Sequence, residues 1–240
     1  MVESCLYFTR KSNIFMRAKN NIIWLLLILG VVVLASSPYV DRQLAILPYD
    51  PSIHYFYGEL SWWCKLIYYS VNMVTVSLIV VPLILFILVW KKILQLDMLL
   101  IKRMMLITYL SLAIGPGLLV NTLFKDGWGR PRPYQVIRDH KPFSYPWQPH
   151  FNHPKDNSFP SGHVSIGAMI GVPFIVARKK KLGIGLCILG AALVGLVRFL
   201  QGGHYFTDIT AAAIIVWLVS ILVTKLVDKY LNYNESTYGS

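Results

Sequence analysis

The feature that most constrains this chain is a series of long apolar runs, each closed by lysine and arginine. The clearest spans Leu66 to Trp90 without a single acid or base and is followed by Lys91 and Lys92. About 20 such residues cross the hydrocarbon core of a bilayer. Inside that core every backbone polar group must be paired within the segment, so such runs become helices. Similar runs recur, and together they predict spans at about 22–40, 66–90, 104–124, 161–177, 182–197 and 209–227. The expected fold is all-α, a polytopic bundle of six transmembrane helices with an outer-face loop carrying the site. No linker or internal repeat divides it, so residues 1–240 read as one membrane-embedded domain.

Charge supports this architecture and orients it. The chain is 55% hydrophobic and 14% charged, yet its formal net charge is +12. In a soluble protein that excess would point to nucleic acid. Here the cations flank the apolar runs. Arg10, Lys11, Arg17 and Lys19, then Lys91, Lys92, Lys102 and Arg103, then Arg178 to Lys181, then Lys225 and Lys229 hold fourteen of the 23 lysines and arginines. The positive-inside rule places these on the cytoplasmic side with both termini. All six histidines then fall outside, on the face that is periplasmic in a bacterial inner membrane. Ala35-Ser36-Ser37 resembles a signal-peptidase site. An uncleaved anchor is the preferred reading, because further spans follow. Residues 38–64, with Pro38, Pro48, Pro51 and Gly58, read as a loop ending in an interfacial Trp62-Trp63 pair. Cys5, Cys64 and Cys187 lie at different depths and suggest neither a disulfide nor a metal cluster.

On this topology three polar groups share the outer face. The first is Lys125 and Arg132, within K-D-G-W-G-R-P-R-P. The second is Pro160-Ser161-Gly162-His163. The third is Arg198, His204 and Asp208, within R-F-L-Q-G-G-H-Y-F-T-D. Ionisable groups at a membrane boundary are costly and mark function. Around a phosphate each has a task. Lys125, Arg132 and Arg198 would neutralise the oxygens that gather charge in phosphoryl transfer. Ser161 and Gly162, where a helix begins, would offer backbone N–H groups and close approach. His204 suits the nucleophile, and Asp208, four residues on, would accept the N–H of its other ring nitrogen. His163 would act as acid and then base. The three cations do the electrostatic work, so no metal or cofactor is expected.

K-x6-R-P over Lys125 to Pro133, P-S-G-H over Pro160 to His163 and R-x5-H-x3-D over Arg198 to Asp208 resemble the three motifs of the type 2 phosphatidic acid phosphatase superfamily. That superfamily also includes vanadium haloperoxidases. The resemblance implies a six-helix membrane phosphatase working through a phosphohistidine, with the residues above in those roles. Val197 stands where the third motif usually has a serine before the arginine. The stretches G-P-G-L-L-V-N-T-L-F-K-D-G-W-G-R-P-R-P and Q-G-G-H-Y-F-T-D are further similar to bacterial lipid A phosphatases. The intact P-S-G-H favours the 1-phosphate as the group removed. Arg130 and Arg138 are expected to contact the lipid head group, and Lys141 and Lys155 also suit a polyanionic lipid. Undecaprenyl pyrophosphate and phosphatidylglycerophosphate fit the same cations. A lipid phosphotransferase and a non-enzymatic lipid transporter are the readings from other classes. The polar groups gather at one face and not at the midplane, which speaks against transport.

Overall fold

The computed structural model describes residues 2–152 and 156–231. His153, Lys155 and the tail beyond Leu231 lie outside the described residues. The chain is a bundle of helices with one two-stranded ribbon. In order the elements are α1 (Val2–Ala45), β1 (Tyr49–Asp50), β2 (Tyr55–Phe56), α2 (Tyr57–Leu60) and α3 (Trp62–Trp90). Next come α4 (Met98–Leu112) with a π-helical continuation (Ala113–Lys125), then α5 (Asp126–Trp128) and α6 (Pro133–Ile137). The last four are α7 (Gly162–Gly167), α8 (Val172–Val176), α9 (Lys180–Leu200) and α10 (Phe206–Tyr230).

Among the described residues, five helices are long and apolar enough to cross a membrane: Asn21–Ala45, Trp62–Trp90, Met98–Lys125, Lys180–Leu200 and Phe206–Tyr230. The expected fourth span is different. It is Gly162–Val176, split into α7 and α8 by a turn. At about 1.5 Å per residue it covers only about 22 Å of a bilayer core near 30 Å. Pro173 near the start of α8 has no backbone N–H to give to the preceding turn. The first span also differs. Helix α1 continues through Pro38 to Ala45, where the sequence reading has a loop from residue 38. The last turns carry Ser37 and Asp41, both fully buried, and their polar atoms are satisfied by partners described below.

Packing explains the order. Helix α1 lies on α10, α3 on α4, α4 on α10, and α7 and α8 on α9. The core between them contains Ile107, Val164, Met169 and Val216, all fully buried. Outward-facing residues such as Leu66, Met73, Leu83 and Trp90 on α3 are apolar and exposed, as expected of a surface solvated by lipid. Helix α9 meets α7 through Gly190 and Gly167. A Cβ on Gly167 would stand 2.6 Å from the Gly190 carbonyl oxygen, and one on Gly190 would strike the Gly167 carbonyl. Only glycine permits that approach.

The two ends of the bundle are chemically distinct. At one end Arg103 of α4, buried, donates from Nε and Nη2 to the Asp228 carboxylate of α10 at 2.6 and 3.1 Å and from Nη1 to the Val176 carbonyl of α8 at 3.1 Å. Arg103, read from the sequence as a mark of a cytoplasmic connection, is thus an internal clamp. At the other end lie residues 126–152 and 156–161, the 201–205 turn, the β-ribbon and the last turns of α1.

Candidate active site

The site is built where α9 stops and α10 starts. His204 and Tyr205 occupy the turn, and Asp208 lies in the first turn of α10, its carboxylate accepting from the Tyr205 backbone N–H at 2.9 Å. His204 is buried. Its Nδ1 is 2.6 Å from the Ser158 carbonyl oxygen, while Asp208 Oδ2 is farther, at 3.8 Å. A carbonyl only accepts, so Nδ1 carries the hydrogen and Nε2 is left with the lone pair. Ser158 therefore takes the N–H that the sequence reading assigned to Asp208. Asp208 acts on the ring from the next position out, and its Oδ2 accepts from the Ser158 hydroxyl at 2.6 Å. Burial pushes the imidazole down to about 3, against the opposing pull of Asp208 and with help from the Arg198 charge. The ring is neutral at ordinary pH, the form a nucleophile requires.

The expected cations reach the same point. Arg198, buried in the last turn of α9, donates from Nη1 to Gln201 Oε1 at 2.6 Å. Its Nε is buried and has no hydrogen-bond partner among the described residues. Such a donor is rare in a folded protein and asks for an acceptor. Arg132 donates to Asn157 Oδ1 at 2.6 Å, and its backbone N–H donates to Gln135 Oε1 at 2.7 Å. Arg132 and Arg198 line one open cavity of about 300 Å³ together with Lys65, Tyr68, Tyr134 and Gln201. Lys125, Arg132 and Arg198 all act electrostatically on the His163 ring. Ser161 caps α7 by accepting from the Val164 N–H, and its own N–H donates to the Asp208 carbonyl at 3.2 Å. Gly162 packs so closely on Asn121 that a Cβ would collide with the amide oxygen.

One expectation needs correcting. Arg130, assigned to the lipid head group, is fully buried. It donates to Asp208 from Nη1, to Asp41 from Nη2 at 2.8 Å and to the Ser144 carbonyl from Nε at 3.1 Å. Its planar face covers Tyr205, 4.3 Å from the ring centroid. Fully buried, with all three guanidinium nitrogens bonded inside the protein, it cannot reach a head group. Arg138 is partly exposed at 31% but pairs with Glu59 and Asp139, each at 3.3 Å. Lys141 likewise pairs with Asp156.

Several side chains here carry no motif. Tyr68 of α3 stacks on His163, centroids 4.4 Å apart and planes at 24°, and the Arg198 guanidinium lies 5.0 Å from the same Tyr68 ring centroid. Ser158 and Asn157 hold His204 and Arg132. Asp41 of α1 accepts from Arg130, from Ser37 Oγ at 2.6 Å, and from Thr207 through both its N–H at 3.1 Å and its hydroxyl at 2.6 Å. A lone acid ending an apolar run was the one sequence signal for Asp41. The others had none.

A family model, the PAP2 superfamily, matches residues 105–231. The chain belongs to the PAP2 superfamily. All three motif groups and Arg130 fall inside the matched residues, whereas Asp41, Lys65 and Tyr68 lie before them. A curated relative in Francisella tularensis subsp. novicida (strain U112) is 33% identical over 204 residues, covering 82% of this chain and 90% of its own length. Its name is Lipid A 4'-phosphatase. No solved structure matches this PAP2 chain.

Proposed function

We propose that the protein is a metal-independent lipid A phosphatase of the bacterial inner membrane, with its site at the periplasmic face. The observation that carries the reaction is a buried, neutral His204 beside Arg132 and Arg198, the latter with an unpartnered Nε. A phosphate bound there would satisfy that donor and be held by two planar forks and Lys125. Nε2 of His204 then attacks phosphorus as the bond to the lipid oxygen breaks. His163 gives its proton to that leaving oxygen. In the second half the same ring takes a proton from water, whose oxygen attacks the phosphohistidine and releases inorganic phosphate and free His204. Asp208 stabilises the cationic ring through both half-reactions. Ser161 and Gly162 line the phosphate.

The relative's name supports lipid A as the substrate and the 4'-phosphate as the group removed, over the 1-phosphate that the intact P-S-G-H favours. In purified form the protein should release phosphate from lipid A faster than from glycerophospholipid phosphates, with the vacated position read by mass spectrometry. His204→Ala should lose turnover altogether while its helical content stays unchanged by circular dichroism. Turnover retained in that variant would remove the phosphohistidine.

A further inference from the structure

Helix α1 lies outside the residues matched by the family. By composition it is a lipid-facing anchor, since much of it is apolar and exposed. Asp41 does not fit that description. It is buried to its tip, and both oxygens are engaged. Its partner Arg130 gives the remaining amino group to Asp208. Two carboxylates therefore share one guanidinium in a buried place, and the cluster carries one net negative charge. Uncompensated charge of that kind is expensive and is seldom left in a protein interior without a use.

The use is next door. His204 Nδ1 is 3.8 Å from Asp208 and holds its hydrogen on the Ser158 carbonyl. When Nε2 bonds to phosphorus, the ring keeps that hydrogen and becomes a cation. Two negative charges, on Asp41 and Asp208, then face two positive ones, on Arg130 and the ring. We infer that Asp41 is a positioning residue for phosphoryl transfer: through Arg130 it leaves Asp208 with enough negative charge to stabilise the cationic His204 ring. Were Asp41 absent, Arg130 would spend its charge on Asp208 alone, and less of the Asp208 charge would be left for the ring cation. The inference rests on the phosphohistidine reading above.

The test compares Asp41→Asn with Asp41→Glu in the full-length protein, assayed with the same lipid phosphate. Asparagine keeps the shape and removes the charge; glutamate keeps the charge. The expected result for asparagine is a fall in kcat of about tenfold or more, the scale of one unit charge acting in a site of effective dielectric about 20. KM should stay within about threefold, because Asp41 touches no substrate. With 32P-labelled substrate and an alkaline quench, which preserves phosphohistidine, labelled protein should form more slowly, and glutamate should recover part of kcat. Unchanged kcat in Asp41→Asn, with His204→Ala inactive, would overturn the role of Asp41 and leave the phosphohistidine standing. Equal loss in both variants with a collapsed thermal midpoint would also overturn it, as a purely structural contact. Turnover in His204→Ala would instead overturn the underlying reaction.

Discussion

His204 has a titration consequence that can be measured without substrate. Its value in the folded chain is about 3, against 6.5 for the free side chain. As pH falls below 6.5 the unfolded chain takes a proton that the folded one refuses until about pH 3. Folding therefore weakens with acid across that window and is unaffected by this group above it. His204→Gln does not titrate, so its thermal midpoint in detergent should fall less than that of the unaltered protein between pH 7 and pH 4. Equal slopes would mean that the imidazole is not held neutral. At this scale the motif residues were readable, because their spacing is local: His204 and Asp208 are four apart, and Ser161 to His163 are contiguous. Arg130 was misread because its partners are Asp41 and Asp208, 89 and 78 residues away. Nothing near it in sequence distinguishes a buried arginine from a solvated one.

At the scale of elements the apolar runs marked where helices are but not where they end. Asp41 and Arg42 close the first run by hydropathy, yet the helix continues, since Asp41 is satisfied by residues from the far half of the chain. The fourth span was located but not its break, which depends on how α7 and α8 lie against α9. That contact makes its own prediction. Gly190→Val would force α9 away from the Gly167 carbonyl, and α7 carries Ser161 and His163 at its start. Overpacking of this kind costs about 1–3 kcal/mol, so the variant should lose thermal stability and most phosphate release. Gly185→Val, where a Cβ meets nothing within 4 Å, should be nearly silent in both assays. Equal behaviour of the two would show that the helices are not held by this contact.

For the whole molecule, the count of basic residues predicts orientation, and the structure separates the two ends that an orientation would face. The clamp of Arg103 with Asp228 and Val176 is at one end, and the buried cluster of Arg130, Asp41 and Asp208 is at the other. A periplasm-dependent reporter fused near Phe151 should be active and one near Lys180 silent. The reverse pattern would put the site in the cytoplasm and exclude a periplasmic substrate. Bundle architecture was largely legible because a bilayer permits so few folds. Which helix faces which was not, because lipid-facing and buried surfaces are equally apolar.

The Arg103 clamp also has a mechanical meaning. It ties together the far ends of α4, α8 and α10, rods whose other ends reach toward the catalytic groups. Rods pinned at one end can only fan at the other, so the hinge of any breathing motion lies at the end of the bundle away from His204. Helix α3 is not tied by that pin, and it carries Tyr68. A long helix left outside the clamp is therefore the one that stacks on His163.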